Sequence, residues 1–175
     1  MTSSAPKHPP VIALSDLKPP RLPLKLGVID LGSNSVHLMI FQVWEDGSYT
    51  VLHQERTQVR LGAPVFEKGV IDPHTESIAL AALQKFIAIC RNQAADRILL
   101  VGTSPLREAA NAAEVVDRIK AETGLEVYVI PGREEARLTA RAATDSVGIR
   151  SGKVLVIDVG GGTTELAWLE DDAPV

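Results

Sequence analysis

Two stretches of the chain superpose without a gap. "VIDLGSNSVHLMI" at 28–40 and "VIDVGGGTTELAW" at 156–168 share Val, Ile, Asp, Gly and Leu at equal places. Asp30 falls on Asp158, Gly32 on Gly160, Ser35 on Thr163 and His37 on Glu165. Each copy reads as a β-rich run, an Asp-x-Gly turn with small polar residues, and a second β-rich run. A fold for this sequence must therefore hold one strand–turn–strand unit at its start and another near position 160.

The chemistry available to such a turn is narrow. Glycine and small residues let backbone N–H groups approach an anion closely, and Ser and Thr hydroxyls add donors. An aspartate at the strand end can hold a divalent cation, directly or through water, and that cation can bridge phosphate oxygens. Two such turns facing each other would clamp a phosphate chain from both sides. A pair of tight glycine hairpins is the bland alternative. Gly160, Gly161 and Gly162 between Asp158 and Glu165 exceed what a hairpin needs.

The sequence between the copies supplies a scaffold. "LKLGVID", "VHLMIFQVW" and "YTVLHQERTQVRL" read as three antiparallel strands, with Asp46-Gly47 turning the second into the third. "DPHTESIALAALQKFIAIC" reads as a helix, capped by Asp72 with Pro73 at its first position and an apolar face through Ile78, Ala82, Phe86, Ile89 and Cys90. "RILLVGT" is a short apolar run suited to a buried parallel strand. "SPLREA" begins a helical turn. In "NAAEVVDRIKAETG" Asn111 and Glu114 are spaced as a capping box and Gly124 is a stop. "LEVYVI", a helix from "PGREEARL" to Gly148, and the strands "KVLVIDVG" and "TTELAWLE" complete the order βββαβαβα–ββ. This order predicts an α/β fold: a mixed five-stranded sheet with flanking helices, then the first β-hairpin of a second unit of the same kind. The expected divisions are a disordered or extended Pro-rich arm at 1–24, a first domain at 25–150 and the start of a second at 151–175.

Composition narrows the function. The net charge of -4 provides no global basic field for nucleic acid, so any anion site is local. Cys90 is the single cysteine, which excludes an internal disulfide and a cysteine zinc site and reads as a small buried hydrophobe. No apolar run reaches the ~20 residues of a membrane helix, and the N-terminus has no signal-peptide apolar core. A reducing, cytoplasmic setting without membrane partners fits. "GIRSGKV" has no Ser or Thr after Lys153 and is not a P-loop, no G-x-G-x-x-G occurs, and "GSNS" leads into a strand rather than a helix. His8, His37, His53 and His74 show no metal-ligand spacing.

With "IDLGSNSVHLMI", "VRLG", "VGTSPLREAANA", "PGREEARL" and "LVIDVGGGTTEL" in this order, the sequence resembles the exopolyphosphatase/guanosine pentaphosphate phosphohydrolase family of the actin-like ATPase (ribonuclease H-like) superfamily. The resemblance runs over residues 25–170. It implies hydrolysis of terminal phosphoanhydride bonds of polyphosphate or guanosine pentaphosphate, with Mg²⁺, by a protein that binds polyphosphate or guanosine penta- or tetraphosphate and is a homodimer at full length. Ser33 and Asn34 would contact phosphate. Arg107 would pair with phosphate oxygens, Glu135 would be the general base that activates water, and Asp158 and Glu165 would organise Mg²⁺ and the water. Gly160, Gly161, Gly162 and Thr163 would donate to the terminal phosphoryl group.

The physical reading of those roles is that positioning and charge neutralisation dominate phosphoryl transfer. A base lying among an arginine and a cation is expected to have a depressed pKa. Glu134 and Glu135 also suit a helix N-terminus as negative charges. Arg56 and Arg60 fit an extension of the anion path and an exposed strand face equally well. The sequence departs from the family pattern in having Thr163 where Ser is common, and in stopping after the first two strands of the second domain. A fragment is expected from that, with weak or absent catalysis alone and a tendency to associate. A non-catalytic binder of the same ligands is the alternative. A sugar or acid kinase of the superfamily is disfavoured by "EEARL" beside the glycine turn.

Overall fold

The computed structural model describes residues 8–171 and the backbone of 173 and 174. Strands β1 (Leu24–Leu31), β2 (Ser35–Val43), β3 (Tyr49–Gln58), β4 (Arg97–Gly102) and β5 (Val127–Val129) form one sheet in the order β3-β2-β1-β4-β5. β2 runs antiparallel to β1 and β3, whereas β4 lies parallel to β1 and to β5. This is the expected mixed five-stranded sheet. Alternation decides which face is buried: Ile29 and Leu31 on β1 stand opposite Leu38 and Val36 on β2, and all four are fully buried. Helices α2 (Pro73–Asn92) and α4 (Ala112–Thr123) belong to the same core, through Leu83, Phe86, Val115 and Ile119.

Local signals place several boundaries correctly. The Asp72 carboxylate accepts the Thr75 N–H at 3.0 Å and caps α2, whose first residue is Pro73. Gly124 and Gly148 adopt left-handed φ values of 74° and 71° and end α4 and α5 (Gly132–Val147). Cys90 is buried as expected, and burial pushes its thiol pKa up. A side chain at Gly27 would put its Cβ 2.6 Å from the Cys90 sulfur, so glycine on β1 is what lets α2 lie this close.

Other expectations need correction. The buried face of α2 runs through Ala79, Ala82, Leu83, Phe86, Ile87 and Cys90, while Ile78 is 38% exposed and Ile89 only half-buried. Ile78 sits about a quarter turn off the contact line. Asn111 precedes α4 but caps nothing; its amide donates to the Ile71 carbonyl and accepts the Ile71 N–H, each at 2.9 Å. The third strand stops at Gln58 rather than running to Leu61, because Arg60 turns to φ 54° and leads into an unanticipated helix, α1 (Gly62–Lys68). The turn at "SPLREA" is the short helix α3 (Ser104–Glu108).

Residues 1–7 of the Pro-rich arm lie outside the described residues. From His8 the arm meets the sheet: Val11 bridges Val129 in parallel, the Ile12 N–H donates to the Val129 carbonyl at 3.0 Å, and Arg97 donates to the Lys18 carbonyl at 3.4 Å.

Strands β6 (Lys153–Val159) and β7 (Thr164–Glu170) form the expected hairpin, extended by the two-residue β8 (Ala173–Pro174). One face, with Val154, Val156, Ala167 and Leu169, is half-buried or buried, and α5 packs on this hairpin. The other face carries Leu155, Ile157, Val159, Leu166 and Trp168, which are 46–75% exposed. No helix among the described residues is long and apolar enough to cross a membrane.

Candidate active site

The two repeats close in the same way. The Gly32 N–H donates to the Ser35 carbonyl at 3.1 Å, and the Gly160 N–H donates to the Thr163 carbonyl at 2.9 Å. Asp30 stands across from His37 and Asp158 across from Glu165, as the sequence alignment places them. The turns also touch each other. A Cβ on Gly161 would lie 2.6 Å from the Asn34 Cβ, and one on Gly162 would lie 2.4 Å from the Phe66 ring and 2.8 Å from the Ser33 hydroxyl. The glycines thus serve approach between the turns as well as approach to an anion.

The first turn is fastened from behind. The Gly62 N–H donates to the Ser33 carbonyl at 2.8 Å, and the Val59 and Arg60 N–H groups donate to the Asn34 carbonyl at 3.0 and 2.9 Å. This is what α1 and the bend at Arg60 accomplish. The backbone N–H groups of Ser33, Asn34, Gly161 and Gly162 have no acceptor among the described residues. Unpaired amides on two abutting turns are the donor set an anion requires.

Between the turns lies a cleft of about 490 Å³. Ser33, Asn34, Glu135, Asp158, Gly160, Gly161, Thr163 and Glu165, all singled out from sequence, line it. Gly162 does not; it packs on Phe66. Arg107 does not line it either. Its guanidinium donates to the Glu135 carboxylate at 2.7 Å and to the Ile130 carbonyl at 3.0 Å, so its observed partner is the expected base rather than open space. The Ser33 and Ser104 hydroxyls lie 3.2 Å apart, linking the first turn to α3.

The Glu135 carboxyl is raised above its ordinary pKa: burial raises it, Arg107 partly offsets this, and the charges of Glu165 and Asp158 raise it further. Asp30 is pushed from 3.8 to about 6, first by burial and then by Glu135. Its Oδ1 is buried with no hydrogen-bond partner. Sequence reasoning paired Asp30 with Asp158 but did not assign it to the site, although the repeat carried that signal. His37, Ser35 and Thr103 also line the cleft and were not assigned; Arg56, one of the two arginines weighed for the anion path, lines it as well, and Arg60 does not. His37 is lowered by burial and then by Arg56.

Among the described residues no group of three or more His, Cys, Asp or Glu side chains could hold a metal ion by itself. Mg²⁺ takes one or two carboxylates and completes its shell with water and phosphate oxygens. Carboxylates at Asp158 and Glu165, with the orphaned Asp30 Oδ1 in the same cleft, suit that demand.

The Ppx/GppA phosphatase family model matches residues 39–175, from β2 through α5 and the second turn. The chain belongs to this family. Among Ppx/GppA relatives, exopolyphosphatase 1 of Mycobacterium tuberculosis is 30% identical over 151 residues, covering 86% of this chain and 44% of that protein. The guanosine-5'-triphosphate,3'-diphosphate pyrophosphatase of Photobacterium profundum is 35% identical over 138 residues, covering 79% of this chain and 27% of that one. An exopolyphosphatase structure from Cytophaga hutchinsonii superposes with TM-score 0.81 at 33% identity, covering 86% of this chain and 48% of that one. The Aquifex aeolicus Ppx/GppA structure gives 0.74 at 30%, covering 87% and 49%. The resemblance drawn from sequence and the actin-like fold it implied both hold. The chain spans less than half the length of the curated relatives it matches.

Proposed function

We propose that the protein hydrolyses terminal phosphoanhydride bonds of inorganic polyphosphate or guanosine pentaphosphate, using a water activated by Glu135. The observation that carries this reading is the meeting of two amide-bearing turns over a cleft that also holds Glu135. The backbone N–H groups of Ser33, Asn34 and Gly161 and the Thr163 hydroxyl, all on the cleft, donate to phosphate oxygens and fix the terminal group. Asp158 and Glu165, with Asp30 nearby, would hold Mg²⁺, which would neutralise charge developing on the phosphate oxygens.

Glu135 accepts a proton from water as the water oxygen bonds to the terminal phosphorus. The bridging P–O bond breaks, and its electron pair leaves on the shortened chain or nucleotide. Orthophosphate is the second product, and Glu135 returns its proton to solvent. A raised carboxyl is a stronger base than a free one, which suits this step. Arg107 aims the carboxylate and favours its ionised form.

The test is single-turnover orthophosphate release with protein in excess of polyphosphate or guanosine pentaphosphate. Mg²⁺-dependent release that Glu135→Gln abolishes is expected. Equal release by wild type and variant contradicts the role of Glu135. Binding of both substrates without release favours a non-catalytic binder.

A further inference from the structure

Helix α5 carries Glu135 in its first turn and begins without a side-chain cap, because Pro131 fills the cap position. Its start is held from two elements instead. The first is α3, whose Arg107 donates to the Ile130 carbonyl at 3.0 Å and to the Glu135 carboxylate at 2.7 Å. The second is the N-terminal arm. The Ile12 N–H donates to the Val129 carbonyl at 3.0 Å, and Val11 bridges Val129 in parallel. β5 is only three residues long and stands last in its sheet, so the arm covers a short strand's open edge.

The arm makes a further contact at its 3-10 turn, Leu14–Asp16. Glu134 is 6% exposed and accepts the Arg137 Nε and Nη2 donors at 2.8 and 3.0 Å. Its carboxyl is held below the ordinary range, first by the Arg137 hydrogen bond and, as a smaller cause, by the Leu14 backbone N–H. The arm thus grips Val129 and Glu134. Ile130, whose carbonyl helps orient the Arg107 guanidinium, follows one grip directly, and Glu135 follows the other. Both halves of the Arg107–Glu135 pair are registered against the arm, although neither Ile12 nor Glu134 lines the cleft.

We infer that the N-terminal arm is a brace that sets the position of the base, with Ile12 and Glu134 as positioning residues acting through the segment between β5 and α5. The inference rests on the reading of Glu135 as the base. A carboxylate displaced by about 1 Å can cost a hundredfold in rate. The amides of the two turns belong to other segments, so phosphate binding survives a loosened brace while the attack of water slows.

The experiment compares wild type, Ile12→Pro and Ile12→Val. Proline removes the N–H that meets Val129, and valine keeps both that N–H and a β-branched side chain. Thermal melts check folding. Hydrogen exchange reads the amides of Ile130, Glu134 and Glu135, which donate to the carbonyls of Gly102, Pro131 and Pro131. Single-turnover orthophosphate release from tripolyphosphate with Mg²⁺ and calorimetric affinity for it are measured on the same proteins. Expected for Ile12→Pro are exchange about tenfold faster at these three amides with the core of α2 unmoved, release slowed about tenfold, and affinity within about twofold of wild type. Ile12→Val should behave as wild type. Unchanged exchange, unchanged release, or release that falls only in proportion to affinity overturns the inference. If wild type releases no orthophosphate, the phosphoanhydride reading fails and the inference with it; failure of the inference alone shows as release by wild type that Ile12→Pro matches.

Discussion

Gly161 of the second turn lies against Asn34 of the first so closely that a Cβ on Gly161 would stand 2.6 Å from the Asn34 Cβ and 3.2 Å from the Asn34 nitrogen. The two turns share one surface. Gly161→Ala must push them apart, by more than a side-chain rotation can absorb, because the contact includes backbone. The expected result is phosphate-ligand affinity reduced about tenfold or more with a modest fall in Tm. Adding Asn34→Gly removes one of the clashing carbons, so the double variant should recover part of the loss in a mutant cycle. Calorimetry on the four proteins checks it, and additive effects would deny the contact.

Asp30 gives a pH dependence with a definite sign. Its carboxyl titrates at about 6 in the folded chain against an ordinary 3.8. Between those values the folded protein holds a proton that the unfolded chain has lost, so stability falls as pH rises through this window. Below 3.8 both states are protonated and nothing is lost; above 6 the loss is complete. The difference corresponds to about 3 kcal/mol. Asp30→Asn removes it. Urea unfolding in metal-free buffer should show the variant gaining on wild type by roughly that amount between pH 3.5 and 7.5. A gap that does not change with pH would contradict the assignment.

Arg107 is expected to act on the base. With Arg107→Ala, Glu135 keeps its burial but loses the one side chain that lowers its pKa. The acid limb of the pH–rate profile should move to higher pH. A variant whose rate falls with an unmoved profile would point instead to direct contact between Arg107 and substrate.

A stability prediction concerns the helix layer. Glu76 on α2 is buried and receives both Arg118 donors, at 2.5 and 2.7 Å, from α4. Arg118→Ala leaves that carboxylate unpaired and should cost about 1–3 kcal/mol in urea unfolding. Arg118→Ala combined with Glu76→Gln should cost less than the single change.

Sequence and structure agree where a residue acts through its own backbone or immediate neighbours. Asp72 as a cap, Gly124 and Gly148 as stops and the Asp30/Asp158 repeat are of this kind. They differ where distant chain segments meet. Asn111 has cap chemistry, but Ile71, 40 positions earlier, offers it two hydrogen bonds, and these win. "GAPVFEK" carries no strong helix signal, and its helix exists because Val65 is buried and Gly62 closes on Ser33. The Glu135 pKa depends on burial, which charge pattern alone does not reveal. The phosphate role of Arg107 came from the family resemblance, and its partner Glu135 on α5, 28 residues away, is not visible in the local sequence.

The claim that both turns act as one phosphate clamp is tested most directly by backbone amide NMR during titration with tripolyphosphate and Mg²⁺. The account predicts that the amides of Ser33 and Asn34 and that of Gly161 shift together and saturate with a single affinity. Shifts confined to one turn, or two turns saturating independently, would contradict it.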